Sequence, residues 1–314
     1  MNLHHRIEEF EELIELTSNQ VNIPSGAVRK DYFITIILKN LAESEYLEHV
    51  VFKGGTSLSK CYPGSIDRFS EDIDLTYVPE GDLSNKQISR RLKAIEKILI
   101  GRAKYEIIAE ERNDRNKSSF VWFNDEEKEI ERVKLEIGSS VRPHPFHKKI
   151  FRSYIHEYLD SIDESEAIKE YQLTDVEVNV LDIQRTFIDK ILSVKRHAIC
   201  GTLSDKVRHI YDIVKLYQLE EIQNFLKDTQ QLKEIVKLTK ETDSVYLKKR
   251  NIPKEYNPTE CYGFDLWRHK FSQDIKGRYE TLHKDLLYTD EKQDFNHALE
   301  VFCSIDQILN EIDE

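Results

Sequence analysis

The chain is short of the residues that punctuate β-rich folds: Gly numbers 10 and Pro 7 in 314 residues, which favours long helices over tight-turned strands. Its four cysteines, Cys61, Cys200, Cys261 and Cys303, lie far apart with no CxxC. That spacing points away from zinc and from a disulfide framework, and towards free thiols in a reducing compartment. No apolar run approaches the ~18–20 residues that a membrane span needs. Met1–Arg6 lacks the apolar core of a secretion signal, so a cytoplasmic location is expected. An excess of basic charge is missing too: Lys+Arg 46 against Asp+Glu 58 gives −12. This argues against a non-specific nucleic-acid coat but leaves room for a local basic groove.

What is present is a charged, folded chain. Charged residues make up 33% and apolar ones 39%, a globular balance, and the length suits about two domains at roughly 100–200 residues each. Apolar residues at helical spacing predict helices over 3–17, 27–43 and 84–101. Val50-Val51-Phe52 reads as a buried strand ending in Lys53-Gly54-Gly55, and 56–61 as a short helix capped by Thr56 or Ser57. Further strands are expected at 68–77, 105–109, 120–123 and 132–138, with 175–180 returning to the sheet. From about 155 the pattern is helical, most clearly over 182–198, 205–217, 219–238 and 296–312; residues 244–265, with Pro253 and Pro258, read as a loop. The expected architecture is α+β: a mixed-sheet domain over 1–155, then a mainly helical domain over 156–314 that completes the active-site cleft.

The strongest chemical signal is Asp72-Ile73-Asp74. Along a strand, residues i and i+2 share a face, so the two carboxylates repel unless water or a divalent cation with oxygen-preferring chemistry offsets their charge. Gly54-Gly55-Thr56-Ser57 follows the apolar strand; glycines admit a phosphate close to the backbone, amides at a helix start bind it, and the Ser57 and Ser59 hydroxyls add donors. Val133-Lys134-Leu135-Glu136-Ile137 sets one acid between apolar neighbours, a candidate third carboxylate or an outward Glu on an alternating strand. Arg68 and Ser70 lead the acidic strand and suit phosphate anchoring or support of the carboxylates.

Apolar-Gly-Gly-Thr/Ser, then Asp-x-Asp, then apolar-Glu-apolar resembles the polymerase β-type nucleotidyltransferase superfamily, with a longer gap than usual between Gly55 and Asp72. Lys30-Asp31-Tyr32-Phe33, the run Phe52–Lys60 and Arg68–Leu75 are similar to the AbiEii/AbiGii nucleotidyltransferase toxins of type IV toxin–antitoxin and abortive-infection pairs. The resemblance spans about residues 25–217. It implies that Lys190, in Gln184–Leu192, matches an essential lysine and that Asp212, in Arg208–Ile213, matches an acidic position; His209 stands where the family often has Asp. By local spacing alone, Arg208 and Asp212 are a surface i,i+4 pair.

The implied reaction is Mg²⁺- or Mn²⁺-dependent transfer of a nucleotide from an NTP. Asp72 and Asp74 would hold the metal; Gly54, Gly55, Thr56, Ser57, Arg68 and Ser70 would hold the nucleotide; Lys190 would meet the triphosphate. Glu136 or Asp212 would be the third acid. The resemblance implies a tRNA 3′ end as acceptor and a separately encoded antitoxin as partner. A protein hydroxyl as acceptor, or nucleotide binding without turnover, stand as the other readings. Basic runs suit RNA: Arg142, His144, His147, Lys148, Lys149 and Arg152 with Phe146 and Phe151; Arg185, Lys190, Lys195, Arg196, Lys206 and Arg208; and Tyr246–Arg250. Each run taken alone reads more readily as a solvated charged face.

Overall fold

The computed structural model describes residues 1–247, 256–288 and 292–313. The chain divides into two units: Met1–Cys61, Phe69–Ser139 and Phe146–Leu181 form the first, and Tyr62–Arg68, Ser140–Pro145 and Asp182–Glu314 the second.

In the first unit, α1 (Ile7–Val21) and α2 (Ser25–Ala42) lead into β1 (Val50–Lys53), α3 (Gly54–Cys61), β2 (Asp72–Tyr77), α4 (Asn85–Ile100), β3 (Lys104–Ile107) and β4 (Asn116–Trp122). There follow α5 (Lys128–Glu131), β5 (Val133–Gly138), β6 (Phe146–Phe151), α6 (Tyr154–Ser161), α7 (Ser165–Glu170) and β7 (Val176–Leu181). The seven strands form one sheet in the order β3-β4-β5-β2-β1-β7-β6. β1 with β7 and β2 with β5 run parallel, and the other neighbours antiparallel. The α+β class with a mixed sheet is thus the observed one.

Alternation decides which face of the sheet is core. Ile73 and Leu75 on β2 and Leu135 and Ile137 on β5 are buried, whereas Asp72, Asp74, Lys134 and Glu136 are half-buried on the opposite face. Helices α2 and α4 pack on the sheet. Ser84 caps α4: its hydroxyl accepts the Gln87 amide, and the Gln87 side chain accepts the Ser84 amide at 2.9 Å. Gly101, at φ 56°, ends the helix in the left-handed region.

Four expectations shift. α3 begins at Gly54, so neither Thr56 nor Ser57 caps it. β2 begins at Asp72, four residues later than the alternation implied. The first unit extends past 155 to Leu181, because α6, α7 and β7 belong to it. Residues 146–151, noticed only for their basic charge, are the edge strand β6.

The second unit holds α8 (Ile183–Ile199), α9 (Val207–Tyr217), α10 (Glu220–Lys227), α11 (Thr229–Leu247), α12 (Phe264–Trp267), α13 (Gln273–Glu280), α14 (Leu282–Asp285) and α15 (Phe295–Asp313). The helix expected over 219–238 is two, divided at Asp228, and α11 continues into the stretch expected to be loop. Phe187, Ile188, Ile191, Tyr211, Phe264 and Phe302 are among its fully covered side chains.

Two residues of the family-like words are structural. Lys60 on α3 forms an ion pair with Asp31 on α2, both side chains being under a tenth exposed. The second Asp31 oxygen accepts the Tyr154 amide at 2.8 Å, and Lys60 donates to the Arg152 carbonyl at 3.2 Å. One pair thereby joins α2, α3 and the start of α6. Removing one partner strands a buried charge, so Asp31→Ala is expected to cost about 3 kcal/mol in a denaturant titration. Asp31→Leu combined with Lys60→Met is expected to recover most of that loss.

Candidate active site

The first unit brings most of the sequence-predicted residues together on one sheet face. Register sets Lys53 beside Asp74, Asp74 beside Glu136 and Asp72 beside Lys134. Four charged side chains on β2 and β5 therefore share one half-buried surface, with Lys53 at its β1 side. Lys53 and Lys134 were not singled out by sequence, since only the strand register brings them beside the acids. Lys134 Nζ pairs with Glu111 at 2.8 Å and lies 4.0 Å from Glu136.

Burial and a neighbouring carboxylate outweigh the two nearby lysines at Glu136. Burial, and then the Asp74 carboxylate, raise its pKa above the usual carboxylate value, against the opposing pull of Lys53 and Lys134. Asp72 and Asp74 offer hard oxygen ligands in the same place. Among the described residues, no three His, Cys, Asp or Glu side chains converge as a ready-made metal-binding group. Two carboxylates without a full protein cage fit a Mg²⁺-type ion, which is commonly held by one or two carboxylates together with substrate phosphates.

Gly54 is fitted to Asp74. Its φ of 89° lies in the left-handed region, and a Cβ there would collide with Asp74 Oδ2. Thr56 and Ser57 differ from expectation: both are buried, with hydroxyls spent inside the unit. Thr56 donates to the Asp72 carbonyl at 2.5 Å and lies 3.0 Å from the Ser70 hydroxyl. Ser57 donates to the Gly54 carbonyl at 2.9 Å, and Ser59 to the Thr56 carbonyl at 3.1 Å. These hydroxyls hold α3 against the start of β2, and what α3 offers a phosphate is its first backbone amides. Lys30 on α2 forms an ion pair with Glu71 and stands 5.7 Å from the centre of the Phe69 ring, holding the approach to β2. Cys61 is buried, which pushes its thiol up to about 12, as a packed, unreactive cysteine requires.

Residues 36–301 match the family model of the nucleotidyl transferase AbiEii toxin of type IV toxin–antitoxin systems. The chain belongs to the AbiEii family. It is thus a nucleotidyltransferase of the toxin class, and the match runs well past residue 217, where the recognisable words end. Similar solved structures include MenT4, a nucleotidyltransferase toxin from Mycobacterium tuberculosis, at 16% identity and TM-score 0.48 over 95% of this chain and 98% of that one. JHP933 from Helicobacter pylori is 19% identical at TM-score 0.39, over 82% of this chain and 94% of that one. No curated protein matches.

The remaining predicted residues of this AbiEii protein lie in the second unit, and one carboxylate gathers them. Asp212 is fully buried. Its Oδ1 accepts Arg68 Nε at 2.6 Å, and its Oδ2 accepts Arg68 Nη2 and Lys190 Nζ, both at 2.8 Å. Arg68, expected at the nucleotide, is 3% exposed, and Lys190 is 5% exposed. The local pairing of Arg208 with Asp212 does not occur: Arg208 is exposed, and Asp212 faces inward to partners far away in sequence. His209 has a buried Nδ1 with no hydrogen-bond partner. Burial, then the Lys190 and Lys206 charges, push its pKa well below the usual value, so a neutral ring stands at the position where the family often has Asp.

The basic run over 185–208 turns largely inward, whereas the run over 142–152 stays mostly exposed. Arg185 is fully buried and donates to the carbonyls of Arg142 and His144 and to Asp189. Lys195 donates to the Cys261 carbonyl, and Arg196 pairs with Asp243. In the first unit Lys148 pairs with Glu48, and Arg152 with Asp160 and Asp175. Lys248, Lys249 and Arg250 lie outside the described residues.

Two outcomes follow from the carboxylate face. Gly54→Ala is expected to lower nucleotide transfer at least tenfold, because the new methyl displaces Asp74, while a thermal melt still shows a folded protein. Glu136→Gln is expected to raise the metal-free melting temperature at pH 7. A carboxylate whose folded pKa is raised destabilises the fold once ionised, so the gain is present above the folded pKa. It is lost as pH falls below the unfolded value, and melts across pH 3–8 read both limits.

Proposed function

We propose that this toxin transfers a nucleotide from an NTP to an RNA 3′ hydroxyl, with a tRNA end as the acceptor and a divalent metal held by Asp72 and Asp74. The observation that carries the reading is the Asp72, Asp74 and Glu136 face beside the Gly54–Gly55 turn. A bound Mg²⁺ or Mn²⁺ supplies Lewis acidity towards the phosphates. Amides at the start of α3 take phosphate oxygens, and Lys190 supplies a point charge towards the triphosphate. Glu136, with its raised proton affinity, takes the proton of the attacking hydroxyl.

The balance is simple. The acceptor oxygen forms a bond to the α-phosphorus, the bond from that phosphorus to the bridging β-phosphate oxygen breaks, pyrophosphate leaves, and the hydroxyl proton passes to Glu136 and then to water. No covalent enzyme intermediate is needed, so positioning and charge carry the rate. Exposed His147 and half-buried Lys149, which share one face of β6, support contact with an RNA strand. Membership of a type IV system implies a separately encoded antitoxin.

Incubating the protein with each labelled NTP, Mg²⁺ and either total tRNA or tRNA-free lysate tests this reading. Label on tRNA is expected, at least 100-fold weaker for Asp72→Ala and Asp74→Ala, which should also relieve growth arrest. Label on protein alone would replace the RNA acceptor with a protein hydroxyl, and full activity of either variant would remove the metal assignment.

A further inference from the structure

We propose that Arg68 is a positioning residue that acts through Asp212 to fix the Lys190 ammonium, and that Asp212 is a buried counter-ion rather than a metal ligand or proton acceptor. This rests on the reading in which Lys190 meets the triphosphate.

Asp212 is fully covered, and each of its oxygens already accepts a charge-assisted bond: Oδ1 from Arg68 Nε at 2.6 Å, Oδ2 from Arg68 Nη2 and Lys190 Nζ at 2.8 Å. The two-pronged Arg68 bond fixes the plane of the carboxylate, and that plane fixes the direction from which Lys190 approaches. Burial works against ionisation, but the Arg68 and Lys190 charges outweigh it and hold Asp212 well below the usual carboxylate range. A carboxylate held that way is a poor proton acceptor, and it cannot turn to a metal without abandoning two buried cations.

Arg68 is itself held. Its backbone bridges to Leu287; the neighbouring Asp67 carbonyl accepts the Tyr288 amide at 3.0 Å, and its carboxylate pairs with Lys215 at 2.7 Å. The segment Tyr62–Arg68 thus belongs by its contacts to the helical unit although it lies in sequence between α3 and β2. In the chain, Arg68 precedes Asp72 by four residues. Arg68 is therefore held on its backbone side while its side chain fixes the carboxylate that Lys190 meets.

Two measurements on the full chain test this. The first is Mn²⁺ binding, followed by water-proton relaxation without nucleotide. Asp72→Asn is expected to weaken it at least tenfold, and Asp212→Asn and Arg68→Lys to leave it within twofold. A tenfold loss in Asp212→Asn would make Asp212 a ligand and overturn the proposal; no loss in Asp72→Asn would instead overturn the metal reading on which the proposed function rests. The second is a cycle of Arg68→Gln, Lys190→Gln and the double variant, read as kcat and KM for NTP. Arg68→Gln is expected to raise KM about tenfold, with Arg68→Lys restoring part of it, and the double variant is expected to be no worse than Lys190→Gln. Multiplying defects would show that Arg68 does not act through Lys190. Should Arg68→Gln not fold, Arg68→Lys, which keeps the charge and loses the two-pronged bond, carries the same cycle.

Discussion

Asp74 and Glu136 occupy neighbouring positions on adjacent parallel strands, and the rest of the first unit is built around that placement. The β2–β5 register is fixed by the burial of Ile73, Leu75, Leu135 and Ile137 on the opposite face. A slip of one residue would send the carboxylates into the core and the leucines into water. The fold therefore holds like charges together through hydrophobic burial, on the face proposed to hold the metal. Gly54 extends the same constraint, since only a residue without a side chain lets the β1–α3 turn approach Asp74 so closely.

The second unit solves the opposite electrostatic problem. Arg68 and Lys190 bring two positive charges into a covered site, and Asp212 is the carboxylate that both meet. Breaking a buried pair by removing one partner is costly because the other is left without compensation. The three residues are accordingly one group in which no member substitutes for another.

The local features of this fold were legible in the sequence, and the long-range ones were not. A short apolar run located β1, an acid between apolar neighbours marked β5, a last strand was expected where β7 lies, and helical spacing located α1, α2, α4, α8 and α9, because each signal lies within one element. The word from Phe52 to Leu75 named the family, and the family model bears that out. The neighbours of Asp212 were misjudged for a physical reason. Spacing of four along a helix suggested Arg208, whereas the real partner, Arg68, stands 144 residues away in sequence and is brought in by tertiary packing. Likewise Thr56 and Ser57 read as phosphate donors because hydroxyls after glycines are chemically suited to it, but their helix turns them inward. Counting Lys and Arg overstated the basic surface, since Arg185, Lys190, Lys195 and Arg196 spend their donors on carbonyls and carboxylates inside the helical unit. The −12 of the whole chain is thus closer to the character of its surface than the basic runs suggested.

The central claim is that Asp72 and Asp74 hold the metal that accompanies the nucleotide. Anomalous scattering from Mn²⁺ in crystals grown with a non-hydrolysable NTP tests it most directly. The account predicts a peak within bonding distance of both carboxylates and of the nucleotide phosphates, with Asp212 still bound to Arg68 and Lys190. A nucleotide seated with its metal away from β2, or a peak at Asp212, would contradict it.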